Sequence, residues 1–219
     1  MTFADDQYSA ARSFAYTMIV VDDEPIGDHD EIEPAGKVKT PGRGDVAAGK
    51  VSEEGPQKPI LHSLKTKELI KSALDLGLVC SVVNPKGHEG SVAKSVANAA
   101  LRADIVSLDW QMNDSDDGLL ASEIIKEILC RDEEIGGRLR LIAIYTGDTD
   151  KQGILDKIAD RLNAAKEITS LVTKKDSELM NAAGLRVIWR RKSLGNEKLA
   201  DAVSETQLPD ELLKAFAKL

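Results

Sequence analysis

Residues 16–25 of the chain read YTMIVVDDEP, and this stretch decides the fold that we predict. It begins as a short apolar run rich in β-branched residues, which is typical of a strand buried on both faces of a sheet. The run stops abruptly at Asp22 and Asp23. Parallel sheets bind ligands at the carboxyl ends of their strands, so the acidic pair marks a candidate site.

Four further stretches have the same strand-like character, and helical patterns separate them. The predicted strands cover residues 78–83, 104–108, 139–145 and 185–189. Apolar residues recur at helical spacing over residues 61–77, 91–101, 121–129, 154–162 and 208–219. Strands that alternate with helices indicate an α/β fold, a doubly wound parallel five-stranded sheet with helices on both faces.

Two segments interrupt this alternation. Residues 25–59 contain five of the seven prolines and few large apolar residues, so we predict a long flexible insertion after the first strand. Residues 167–184 leave three interpretations open: a prolonged helix, an extra strand at residues 168–172, or a hairpin. Nothing in the pattern demands two domains, and we interpret residues 1–219 as one domain that carries the insertion.

The composition narrows the class of protein. Apolar residues make up 42% and charged residues 30% of the chain, as in ordinary soluble globular proteins. A formal net charge of −8 argues against a nucleic-acid partner. No stretch approaches the length of a membrane span, and the N-terminus lacks the basic region of a signal peptide. We therefore expect a cytoplasmic protein with no membrane partner.

Polar side chains follow the predicted strands at the edge where ligands bind. They belong to Asp22, Asp23, Asp109, Thr146 and Lys192. Carboxylates gathered at one edge repel one another unless a cation lies among them, and oxygen ligands open to water and phosphate suit Mg²⁺. Asp109 could then attack the phosphorus of a phosphohistidine. The hydroxyl of Thr146 and the ammonium of Lys192 could contact the other phosphoryl oxygens.

The same residues resemble a known family. VVDDEP at residues 20–25, DIVSLDWQM and the following DDG at residues 104–118, and IYTG at residues 144–147 are similar to three motifs of response-regulator receiver domains. These motifs are the acidic pair, the phosphoacceptor strand and the threonine strand. The chain is most similar to the divergent group called response receiver domain, whose loops are longer. The likeness covers residues 17–219 apart from the insertion, and it implies a flavodoxin-like receiver fold.

The resemblance implies a metal site and a phosphoacceptor. Asp109 looks like the phosphoacceptor, and Asp22 and Asp23 look like ligands of Mg²⁺. The backbone carbonyl of Gln111, two residues after the acceptor, looks like a further ligand.

The resemblance also implies two switch residues and a lysine at the phosphoacceptor site. Thr146 looks like the switch hydroxyl. The family has an aromatic switch residue three positions before the lysine, and Trp189 stands in that position relative to Lys192. The competing Lys174 has Leu171 there, which favours Lys192.

The implied partners are a histidine kinase or phosphotransfer protein as the phosphodonor and a separate, unidentified protein as the output. We expect no activity on other substrates, only Mg²⁺-dependent self-phosphorylation and self-dephosphorylation. One rival function is a phosphorylation-independent interaction module with the same fold. Another is a phosphatase of the haloacid-dehalogenase type, but that class needs a second acid where this chain has Gln111, and its acidic pair comes late in the chain.

Overall fold

The computed structural model describes residues 2–26, 64–86, 91–112, 117–193 and 201–219, and the structural statements below concern these residues. The helices are α1 (Phe3–Phe14), α2 (Thr66–Asp75), α3 (Val92–Ala100), α4 (Leu119–Glu134), α5 (Lys151–Ala164) and α6 (Leu208–Phe216). The strands are β1 (Thr17–Val21), β2 (Pro25–Ile26), β3 (Leu64–Lys65), β4 (Val79–Val83), β5 (Ile105–Leu108), β6 (Arg140–Thr146), β7 (Thr173–Lys175), β8 (Glu178–Met180), β9 (Leu185–Lys192) and β10 (Ala202–Val203).

A mixed sheet forms the centre of the described structure. Its strand order is β4-β1-β5-β6-β9-β8-β7, and β10 pairs with β9. The strands β4, β1, β5, β6 and β9 are parallel to one another, which confirms the predicted doubly wound α/β architecture. Since β1 lies between β4 and β5, the order of the strands reverses beside β1. A crevice for a ligand is expected at the carboxyl end of a strand at such a point.

Apolar layers cover both faces of the sheet, as predicted. Helices α3, α4 and α5 pack on one face, and α1, α2 and α6 pack on the other. Successive residues of β6 serve opposite layers: Ile142 and Ile144 join the first, and Ala143 and Tyr145 join the second. This alternation follows from the two-residue period of a strand, and it explains why β6 is an apolar run with few polar residues.

The sheet is wider than the five strands that we predicted. A hairpin of β7 and β8 adds antiparallel strands beside β9, so the hairpin interpretation of residues 167–184 is the correct one. Its two turn residues, Asp176 and Ser177, have φ of 51° and 62°, and positive φ at both central residues is typical of a type I′ turn. Residues 168–172 form no strand. The hairpin and β10 together cover the edge of β9.

The first segment after β1 also differs from the prediction. Leu64, which we assigned to a helix, lies in β3 and pairs in parallel with Pro25 of β2. The amide of Leu64 also donates to the carbonyl of Glu24 at 2.9 Å. Pro25, the first residue of the predicted insertion, is thus paired with Leu64 beside the acidic pair. Residues 27–63, which include the rest of that insertion, lie outside the described part of the chain.

Helix α1 was not predicted from the sequence. It begins with a capping box between Thr2 and Asp5, and its last residue, Phe14, stacks on Phe216 of α6 with ring centroids 5.8 Å apart. Helix α1 therefore packs beside α6 in the layer that covers the second face of the sheet. None of the helices in the described ranges is long and apolar enough to cross a membrane.

A buried ion pair braces the edge of the sheet opposite the acidic pair. Arg140, at the start of β6, donates from Nε and Nη2 to the carboxylate of Asp132 on α4 at 2.6 and 2.7 Å. Its Nη1 donates to the carbonyls of Ala100 and Ala103 at 2.7 and 2.5 Å. Both partners of the pair are hydrogen-bonded, as buried charges require.

Candidate functional site

Three carboxylates meet at the carboxyl ends of β1 and β5. The amide of Asp22 donates to the carbonyl of Val83 at 3.1 Å, and the amide of Asp109 donates to the carbonyl of Val21 at 2.9 Å, so both residues continue the strand ladders. Asp22, Asp23 and Asp109 are only 1%, 9% and 8% exposed. One oxygen from each lies within 4.8 Å of the others. The sheet therefore concentrates negative charge at the point predicted for a ligand.

Local turns fix how two of these carboxylates point. Oδ1 of Asp22 accepts a hydrogen bond from the amide of Glu24 at 2.9 Å. Oδ1 of Asp109 accepts one from the amide of Gln111 at 3.4 Å. In each case the short aspartate side chain bonds the backbone two residues later, which is an Asx turn. The Oδ2 atoms of Asp22 and Asp109 point toward the same ammonium.

That ammonium belongs to Lys192, at the end of β9. Its Nζ donates to Oδ2 of Asp22 at 2.7 Å and to Oδ2 of Asp109 at 2.5 Å. Burial works to lower the pKa of Lys192, but the charges of Asp109 and Asp22 and their hydrogen bonds outweigh it and raise this pKa. Lys192 is therefore a cation at neutral pH. The competing Lys174 lies on β7 and pairs with Asp156 of α5, so the fold does not bring it to the carboxylates.

A second lysine reaches the cluster from the end of β4. Nζ of Lys86 lies 3.0 Å from Oδ2 of Asp23. Lys86 was not selected from the sequence, because a lysine that follows Asn84 and Pro85 belongs to a segment with the usual composition of a turn. Only the pairing of β4 with β1 brings it beside the acidic pair.

The predicted switch residues share one face of the sheet. Thr146 ends β6 and is buried, and its Oγ1 accepts a hydrogen bond from the amide of Asp148 at 3.3 Å. Trp189 pairs in register with Ile144, two residues before Thr146. Its indole Nε1 is buried and finds no hydrogen-bond partner in the described part of the chain. Trp189 is thus a packed residue whose polar atom lacks compensation.

A family model described as the response receiver domain matches residues 14–197. The chain belongs to the response receiver domain family. The match runs from the last residue of α1 to a point beyond β9, and it includes the three carboxylates and Lys192. Comparisons with curated proteins and with solved structures found no match.

The donor set of this response receiver domain fits a divalent cation. Receiver domains commonly bind Mg²⁺ through acidic residues, and three buried carboxylates with converging oxygens offer the hard ligands that Mg²⁺ prefers. Gln111 follows Asp109 as an exposed residue of the same loop. The metal-ligand role of its carbonyl stays a prediction.

The ring of Tyr145 also contacts Lys192, and this residue was not selected from the sequence. The ring centroid lies 5.7 Å from Nζ of Lys192, within the range of a cation–π contact. The hydroxyl donates to the carbonyl of Val203 in β10 at 2.8 Å. Burial, together with the charges of Glu205, Asp22 and Asp109, raises the pKa of Tyr145, so the phenol keeps its proton. Tyr145 thus ties the site of the receiver domain to β10.

The loop after Asp109 is packed through Trp110. This side chain is buried, and its ring lies so close to Gly118 that a Cβ atom there would come within 2.1 Å of it. The guanidinium of Arg161 on α5 lies 5.9 Å from the ring centroid. Arg161 also donates to the carbonyl of Asp117 at 2.9 Å. The acceptor loop is therefore connected directly to α5.

Proposed function

We propose that this response receiver domain takes a phosphoryl group onto Asp109 and changes its affinity for another protein as a result. The phosphodonor in this proposal is a histidine kinase or a phosphotransfer protein, and the output is a separate protein, all in the cytoplasm. One observation carries the proposal: the buried carboxylate of Asp109 converges with those of Asp22 and Asp23 and is held by the ammonium of Lys192.

The proposed reaction is a phosphoryl transfer from a phosphohistidine. An Oδ atom of Asp109 attacks phosphorus, a P–O bond forms as the P–N bond breaks, and the imidazole leaves with the electron pair of that bond. Mg²⁺ bound to Asp22, Asp23, Asp109 and the backbone carbonyl of Gln111 would offset the negative charge of the transferring group. Lys192, already bonded to Asp109, would donate to a phosphoryl oxygen once the carboxylate becomes an acyl phosphate.

The proposed switch follows from the added charge. Phosphorylation brings about −1.5 to −2 charges to a buried site, and the hydroxyl of Thr146 is the neutral donor proposed to turn toward it. Movement of Thr146 would leave space on the face of the sheet that it shares with Trp189. The buried indole N–H of Trp189, which has no hydrogen-bond partner among the described residues, could then form a hydrogen bond in a new side-chain arrangement. A partner senses this change only as far as it binds the two arrangements with different free energies.

Incubation with acetyl phosphate and Mg²⁺, followed by intact-mass spectrometry, tests the proposal. The wild-type chain is expected to gain the mass of one phosphoryl group, and the Asp109→Asn variant is expected to gain none. Asp156→Asn is a matched control, because Asp156 is an ion-paired aspartate on α5 with a half-exposed side chain. It should be phosphorylated like the wild type.

Two results would contradict the proposal. Equal labelling of the Asp109→Asn variant would place the acceptor elsewhere. No labelling of the wild type by acetyl phosphate, together with no binding of beryllofluoride as a stable mimic of the phosphoryl group, would favour a receiver-like module that binds its partner without phosphorylation.

A further inference from the structure

Lys86 is held over the acidic cluster by a short, well-defined turn. Its amide donates to Oδ1 of Asn84 at 2.8 Å, which closes an Asx turn directly after β4, and Pro85 between them is buried. From this turn the side chain extends to Oδ2 of Asp23 at 3.0 Å. The placement of the ammonium therefore follows from an ordered backbone at the end of β4.

The two members of this ion pair differ in their access to water. The side chain of Lys86 is 50% exposed, whereas that of Asp23 is 8% exposed. Lys86 can turn outward into solvent, but the carboxylate of Asp23 cannot follow it. A cation that enters the cluster therefore finds Oδ2 of Asp23 already paired with the Lys86 ammonium, which it can displace toward solvent.

The contact matters because a divalent cation needs the same carboxylate. Asp22, Asp23 and Asp109 carry three negative charges, and the ammoniums of Lys192 and Lys86 place two positive charges against them. Two cations at close range repel each other, and the repulsion is stronger away from bulk water. A metal ion that binds Asp23 must therefore displace the Lys86 ammonium or bear its repulsion.

We propose that Lys86 competes with the divalent cation for Asp23 and so sets the Mg²⁺ concentration at which the site fills. This inference rests on the proposed function, because it requires that a metal binds among the three carboxylates. In this arrangement Lys86 is an internal counter-ion of the site that lowers its metal affinity and keeps Asp23 paired when metal is scarce.

Mn²⁺ binding tests the inference without any phosphorylation assay. Free Mn²⁺ is counted by electron paramagnetic resonance as the ion is added to the wild type and to four variants. Lys86→Met removes the charge and keeps most of the stem, and Lys86→Arg keeps the charge. Asp22→Asn removes a ligand. Lys214→Met is the matched control, since Lys214 is an ion-paired lysine of similar exposure, 53%, on α6.

Lys86→Met is expected to tighten Mn²⁺ binding by about tenfold at low ionic strength, because the competing charge is gone. Lys86→Arg and Lys214→Met are expected to stay within about twofold of the wild type, since one keeps the local charge and the other changes only the net charge of the chain. Added salt should narrow the difference between Lys86→Met and the wild type by screening the repulsion.

Unchanged or weaker binding by Lys86→Met, or equal tightening by Lys214→Met, would overturn the inference. If the wild type also binds Mn²⁺ and Asp22→Asn does not, the metal site stands, and only the proposed role of Lys86 is excluded. If the wild type binds no more Mn²⁺ than Asp22→Asn, the proposed metal site itself fails, and the role of Lys86 fails with it.

Discussion

The Nζ atom of Lys192 lies 2.5 Å from Oδ2 of Asp109, although the two residues are 83 positions apart in the chain. The same Nζ lies 2.7 Å from Oδ2 of Asp22, which is 170 positions away. The polar residues at the carboxyl ends of β1 and β5 thus lie within hydrogen-bonding distance of one ammonium, at the end of β9. The ammonium holds two buried carboxylates that would otherwise repel each other.

Replacement of Lys192 by Met is expected to destabilise the fold. Without the ammonium, the carboxylates of Asp22 and Asp109 are buried and uncompensated, and removal of one partner from a buried ion pair costs about 3–5 kcal/mol. Urea unfolding, monitored by circular dichroism, measures the decrease in the free energy of unfolding. Saturating Mg²⁺ should restore part of the stability, because a ligand that binds only the folded chain stabilises it. A variant as stable as the wild type without Mg²⁺ would contradict the expected role of this ion pair.

The contribution of Lys192 also predicts how stability depends on pH. Its pKa is raised in the folded chain by the charges of Asp109 and Asp22, against the effect of burial. A raised lysine pKa stabilises the folded chain fully below the unfolded value, about 10.4, and this stabilisation is lost as the pH rises through the folded value. The difference in unfolding free energy between the wild type and Lys192→Met should therefore stay constant from about pH 7 to pH 9 and fall only in more alkaline solution. A difference that already shrinks below about pH 9 would assign the effect to another group.

Gly118→Ala is expected to disturb the acceptor loop through Trp110. Gly118 has φ of 69°, and a Cβ atom there would overlap the indole ring. Gly136→Ala is the matched control, since Gly136 has φ of 88° but open space around its Cα. The control should lose only the cost of a left-handed backbone, about 1–2 kcal/mol. Gly118→Ala should lose about 1–3 kcal/mol more from overpacking and should shift the tryptophan emission. Equal losses in urea unfolding would show that the ring moves aside freely.

Asp132→Asn is expected to destabilise the end of the sheet opposite the carboxylates. The substitution leaves the buried guanidinium of Arg140 without its counter-charge, at a cost of about 3–5 kcal/mol in unfolding free energy. Asp156→Asn makes the same chemical change at the exposed pair with Lys174 and should leave stability nearly unchanged. Thermal and urea unfolding of both variants give the comparison. Similar losses in the two variants would mean that burial does not control the strength of these pairs.

The two tryptophans allow the proposed switch to be followed at separate places. Trp110→Phe leaves Trp189 as the only tryptophan of the chain. Acetyl phosphate with Mg²⁺ should then change the emission of Trp189, because its packing and the environment of its indole N–H are expected to change with Thr146. The same treatment of Trp110→Phe combined with Asp109→Asn should change nothing. Phosphorylation of the single variant without any change in emission would exclude Trp189 as a reporter of the switch.

Local patterns in the sequence predicted the framework well. Apolar runs of strand length, each followed by a polar residue, correspond to β1, β4, β5, β6 and β9. For β1, β5, β6 and β9 the reason is burial on both faces, which requires a continuous apolar run, whereas β4 is a partly exposed edge strand. The hairpin of β7 and β8 could not be chosen among three interpretations, since its strands are three residues long and mostly exposed. Helix α1 was missed because its apolar positions are few and its partner, α6, is at the other end of the chain.

The sequence by itself determined the five parallel strands and the acids at the ends of β1 and β5, because those features depend on neighbouring residues in the chain. Only the tertiary structure decided which lysine lies between Asp22 and Asp109, and only it revealed Lys86 beside Asp23 and Tyr145 beside Lys192. The physical reason is that an ammonium interacts over a few ångströms of space, and distances of that size depend on strand order and register. A lysine that pairs with a buried carboxylate and one that remains on the surface look alike until the strands are paired.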